Sequence, residues 1–109
     1  MIDDAGAEKV LDWLRDNAEK EAIARSHKVL LEESSRIVKA RLMKESGQDT
    51  LGAQEREAYA SEEYSAHVVG LSAAVYEDTK LTLLRKAAEA KIEAYRTMCS
   101  NNRAIGKVV

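Results

Sequence analysis

The sequence predicts an all-α protein built as an antiparallel hairpin of two long helices joined by a short corner helix. Three observations carry that expectation. The 109 residues contain no proline and only five glycines, so almost nothing interrupts a helix. Alanine, leucine, glutamate, lysine and arginine dominate, and 33% of the residues are charged, which suits elongated helices with solvated faces. Apolar residues recur at steps of three and four over long stretches.

The elements follow in order. Asp3 or Asp4 supplies a carboxylate for the free N–H groups of a first turn. From there the chain meets no breaker until Ser46-Gly47-Gln48-Asp49, which predicts a helix over about 4–45. Asp49 or Thr50 can cap a short helix over 51–59. Ser61, followed by Glu62 and Glu63, caps a last helix over about 61–102, with Asn101 or Asn102 as its C-cap. One domain is expected over 1–109.

In the last helix the apolar stripe reads Leu81, Leu84, Ala88, Ile92, Tyr95 and Cys99. Upstream it continues through Val68, Leu71 and Val75, widened by Val69 and Tyr76. The first helix offers Val10, Leu11 and Leu14, then Ile23, Leu30, Leu31, Ile37, Val38 and Leu42, with small residues between. The seam is therefore expected to centre on Leu14, Leu31, Val38, Leu71, Leu84, Ile92 and Tyr95. The spacing reads as nearer 3.6 than 3.5, which points to a bundle rather than a regular coiled coil.

Charge sets the orientation. Residues 1–24 hold seven acids and three bases, and residues 25–44 hold two acids and six bases. Residues 45–63 hold six acids against Arg56, and residues 85–109 hold six bases against Glu89 and Glu93. Each long helix starts acidic and ends basic, as its dipole favours. Folding them antiparallel sets each acidic start beside the other's basic end. The stripes are wider than one neighbour covers, so a homo-oligomer is expected, most simply a dimer forming a four-helix bundle.

Chemistry is sparse. His27 and His67 belong to different helices, at similar heights if the corner lies near residue 50, and neither sits in a metal-binding spacing. Cys99 is a lone thiol that reads as packed. No phosphate loop, catalytic pair, metal site or cofactor motif is present in the pattern, so the chain reads as no enzyme and no cofactor is expected. The start of the sequence lacks the apolar core of a signal peptide, and no run approaches the roughly 20 apolar residues of a membrane span. A cytoplasmic protein that does not enter a membrane is expected.

One segment stands out. Tyr95-Arg96-Thr97-Met98-Cys99-Ser100-Asn101-Asn102-Arg103-Ala104-Ile105-Gly106-Lys107 carries three bases and no acid. Arginine and lysine contact phosphates, and asparagine bonds phosphate oxygens or base edges. Arg96, Asn101, Asn102, Arg103 and Lys107 are the candidate contacts for DNA or a protein partner. The alternative is a helix C-terminus whose bases answer its dipole.

Residues 76–104, which include Tyr95 to Ala104 of this segment, resemble small helical proteins of tailed phages and prophages. In these an alanine- and lysine-rich helix ends in aromatic-Arg-Thr/Ser-x-x-Ala/Ser-Asn-x-Arg-Ala. Tyr95 stands here where other members carry tryptophan. The resemblance implies a phage context, near recombination and single-strand-annealing functions, in the cytoplasm of an infected or lysogenic host. It implies a non-enzymatic accessory protein that binds DNA or a DNA-processing protein. An inhibitor of a host defence protein and a virion-assembly or scaffolding component are the alternative expectations.

Overall fold

The computed structural model describes residues 2–108, with side chains through residue 106. It is all-α: helix α1 spans Asp4–Glu45, α2 spans Leu51–Ala60 and α3 spans Glu62–Val108. The local chemistry explains the boundaries. Asp3 caps α1, its Oδ1 accepting from the Gly6 N–H at 2.8 Å. Gly47 closes α1 in the left-handed region at φ +73°, a backbone conformation that residues with a side chain rarely adopt. Thr50 Oγ1 accepts from the Ala53 N–H at 3.2 Å to start α2. Ser61 Oγ accepts from the Glu63 N–H at 3.2 Å to start α3.

The C-terminal boundary differs from the expected one. Neither Asn101 nor Asn102 ends α3, which continues to Val108. No proline follows, and Ala104 and Ile105 sustain the helix.

Two compact units contain these helices: Met1–Glu21 with Lys80–Val109, and Ala22–Thr79. In the first unit, Tyr95 donates to Asp4 and Arg85 binds Glu21. Partners thus descend along α3 as they ascend along α1, and the pairing is antiparallel. In the second unit the same order holds, with Asp78 beside Arg25 and Lys28 and Glu63 beside Arg41. An acidic helix start therefore meets a basic helix end in the second unit, as the charge distribution requires.

The shielded positions repeat every seven residues. On α1 they are Ala7, Leu14, Glu21, Lys28, Ser35 and Leu42, alternating with Val10, Asn17, Ala24, Leu31 and Val38. On α3 they are Tyr64, Leu71, Asp78, Arg85, Ile92 and Cys99, alternating with His67, Ala74, Leu81, Ala88 and Tyr95. That is the 3.5-residue repeat of a coiled-coil seam, so the expected 3.6 period is corrected. The correction moves residues as well. Leu11, Ile23, Leu30 and Ile37, expected in the stripe, are exposed, while Glu21 and Lys28 take seam positions. Leu84 also stands beside the seam, 46% exposed, because Arg85 holds the seam position.

The core is thin. Ala7, Val38, Ala58, Ala74 and Ile92 are its buried apolar members. The accessible area is 8025 Å², against about 6000 Å² for a compact monomer of this mass. At the corner, Ala58 of α2 is enclosed, and the Tyr59 ring meets Tyr64 edge-on with centroids 5.3 Å apart. Lys39 Nζ lies 4.7 Å from the Tyr59 ring centroid and 3.9 Å from Glu55. The Tyr59 hydroxyl, opposed by partial burial and aided by Glu55 and Tyr64, holds the Lys39 ammonium above its ordinary pKa.

Candidate functional site

The seam carries charge where helix pairs usually carry leucine. In the first unit Glu21, 7% exposed, accepts from Arg85 Nε at 2.9 Å on both oxygens. Thr82 Oγ1 donates to it at 3.3 Å, and Arg85 also reaches Glu89 at 3.0 Å. Glu21 and then Glu89 push the Arg85 pKa further up. In the second unit Asp78, 6% exposed, has Lys28 Nζ 3.0 Å from one oxygen and Arg25 Nε 3.2 Å from the other. The Lys28 hydrogen bond, working against desolvation and with Arg25, holds the Asp78 carboxyl below its ordinary value.

These four seam charges escaped the sequence reading, although a signal was present. Glu21 and Lys28 are seven apart, as are Asp78 and Arg85, and each pair runs from acid to base. Antiparallel pairing matches acid to base in both units. Ion pairs of this kind contribute little net stability against apolar substitutes, and their use is to fix alignment.

Among the described residues, neither unit holds a site with convergent chemistry. A small cavity of about 100 Å³ in the first unit is lined by Trp13, Leu14, Asn17, Leu81 and the Glu21–Arg85 pair. A shallower groove, about 330 Å³, runs between Val10, Trp13, Leu84 and Ala88 with Lys9 and Lys91 at its rim. In the second unit Val68, Val69, Ala73 and Tyr76 form an open apolar surface on α3. Among the described residues, no group of three or more histidine, cysteine or acidic side chains is placed to hold a metal ion. No described helix is long and apolar enough to cross a membrane.

The histidines do not meet. Lys28 pairs with Asp78 and Arg41 with Glu63, so His27 lies near the first pair and His67 one turn from the second. That separates them by roughly 15 Å along the axis. The similar heights expected from a corner near residue 50 are therefore corrected. His27 is exposed; His67 lies in the seam with its Nδ1 shielded and no hydrogen-bond partner among the described residues. Cys99 is half-buried one turn after Tyr95. The Tyr95 hydroxyl donates to Asp4; that bond first, then Cys99 and burial, raise its pKa well above the ordinary phenol value.

The predicted contact segment is placed differently from the rest. Asp4, in the first turn of α1, already contacts Tyr95, yet α3 continues for about three more turns. Residues 101–106 are all exposed. Arg96 and Arg103 are seven apart, so with Ser100 they share one line of the helix, and position 107 falls on it as well. The Lys107 side chain lies outside the described residues. Asn101 and Asn102 turn away from this line, so the five candidates are not one cluster. Arg96 makes a long ion pair with Glu93, 3.7 Å, and both are solvated.

Of the expected seam residues, Val38 and Ile92 are buried, and Leu14, Leu31, Leu71 and Tyr95 are half-buried. Comparison with family models, curated proteins and solved structures finds no match.

Proposed function

We propose that the chain is a non-catalytic, self-associating accessory protein of phage DNA recombination or replication. It acts through the exposed end of α3. The observation that carries this reading is the projection of α3 past the start of α1 with Arg96, Ser100 and Arg103 on one line. Lys107 follows on the same line. Guanidinium groups at seven-residue spacing on a solvated helix can each engage a phosphate. Self-association is supported by the thin core and by the large apolar side chains left in water.

DNA binding of this kind is electrostatic. Affinity for a short single- or double-stranded oligonucleotide should fall as salt rises, with a log–log slope set by the few phosphates neutralised. Arg103→Ala should weaken binding and reduce that slope by about one. Absence of binding to either oligonucleotide at low salt and micromolar protein sinks the DNA reading.

The exposed apolar lines favour a second reading, in which the partner is a protein. An inhibitor of a host protein or a virion-assembly component would use such a face. Salt-insensitive capture of one protein at fixed stoichiometry, with Arg103→Ala silent, distinguishes it.

A further inference from the structure

Ile23, Leu30 and Ile37 follow one another at steps of seven on α1. The seam repeats every seven residues too, so these three lie on one line that never turns inward. They are 61%, 62% and 68% exposed. β-Branched and leucine side chains in water at such regular spacing leave an apolar ridge that no described residue covers.

The ridge is symmetric in sequence about Leu30. Ile23 and Ile37 stand seven residues to either side, Ser26 and Ser34 four, and His27 and Glu33 three. A helix that reads alike in both directions is complementary to an inverted copy of itself, which is what a two-fold contact demands.

We propose that this ridge is the surface through which the chain self-associates. A second copy's α1 lies antiparallel across it, with Leu30 on Leu30 and Ile23 on Ile37. The inference rests on the self-association reading above and names its surface. Charge supports the antiparallel sense. An axis at Leu30 sets residues 16–24 opposite residues 36–44, with Asp16 facing Lys44 and Glu19 facing Arg41, so inversion sets acids beside bases, whereas a parallel pair would set like beside like. Within the ridge the inversion places each exposed His27 opposite a Glu33, twice per contact. The serines at 26 and 34 are small enough to let the two helices approach.

Three side chains per copy bury at most a few hundred Å², well short of the ~800 Å² per partner of a standard interface. The dimer is accordingly weak and concentration-dependent.

The test uses the full chain with Cys99→Ser and one new cysteine at a time. A two-fold axis at Leu30 brings that residue next to its own copy, so Leu30→Cys alone should oxidise to a covalent dimer. Ile23→Cys and Ile37→Cys should each cross-link poorly alone and should join when the two variants, tagged for different mass, are mixed. In sedimentation, the chain without the new cysteines should dimerise as its concentration rises to about 300 µM. Leu30→Glu should raise the dissociation constant about tenfold or more by burying unpaired charge. Val69→Glu, on the other long helix, should leave it unchanged.

Two results overturn the proposal and are distinguishable. A dimer that resists Leu30→Glu, fails to cross-link at 30 or dissociates with Val69→Glu refutes this surface and keeps self-association. A chain that remains monomeric throughout refutes both.

Discussion

Ile92→Ala is the sharpest test of the seam. Ile92 is 7% exposed, so nearly all of its side chain leaves water on folding. The substitution removes three carbons, each about 0.8 kcal/mol of transfer free energy, or roughly 2.4 kcal/mol together. A cavity adds to this, but a seam between two helices opens to solvent at its flanks and can close down on the gap. The expected loss is therefore about 2.5–3 kcal/mol, toward the low end for large-to-small core changes. At about 4–6 °C per kcal/mol for a domain of this size, Tm should drop by roughly 10–18 °C. Far-UV circular dichroism during a thermal ramp reads it, at one fixed protein concentration. Ile105→Ala, on the same helix at a 64%-exposed position, is the control and should change stability by no more than about 0.5 kcal/mol. Equal shifts for the two variants, or a shift under about 4 °C for Ile92→Ala, would show that the 3.5-residue phase is wrong.

Two further predictions concern the corner and the buried carboxylate. At Gly47 a Cβ would meet nothing within 4 Å, so Gly47→Ala tests the positive φ alone and should cost about 1 kcal/mol in urea unfolding. Gly52→Ala meets equally open space inside α2 and should instead stabilise by up to about 1 kcal/mol; opposite signs for these outcomes would refute the assignment of the turn. For Asp78 the folded carboxyl is held below its ordinary value of 3.8, so the ionised form is favoured in the fold. Its contribution is complete above that value and disappears as pH falls through the lower folded value. The difference in urea midpoint between the natural chain and Asp78→Asn should be constant near neutrality and shrink below pH of about 4. A gap that ignores pH down to about 2 contradicts the Lys28–Asp78 pairing.

The helix starts were legible because Asp3, Thr50 and Ser61 announce themselves chemically, and Gly47 marks the stop. The far end of α3 was not. An asparagine can end a helix, but nothing after Asn102 obliges the chain to leave it. Orientation was legible from the acid-to-base gradient along each helix. The phase of the seam was hidden because hydropathy counts Ile23, Leu30 and Ile37 as core and rejects Glu21, Lys28, Asp78 and Arg85. Only the pairing of opposite charges inside the seam reverses that order. For the candidate contacts, sequence located the basic segment, while helix geometry was needed to separate Arg96 and Arg103 from Asn101 and Asn102.

The alternation of sign in the seam has a consequence for how the chain finds its alignment. A heptad pattern tolerates sliding, since a shift of seven residues returns every seam position to a seam position. Here such a slide is punished in either direction. Moving α1 one way would carry Glu21 to the side of Asp78, and moving it the other way would carry Lys28 to Arg85. Each misstep sets two like charges together in poorly solvated surroundings, which costs far more there than in water. The charged layers act as a vernier: small in number, they single out one of the repeat's equivalent alignments, which the thin apolar core could not do alone.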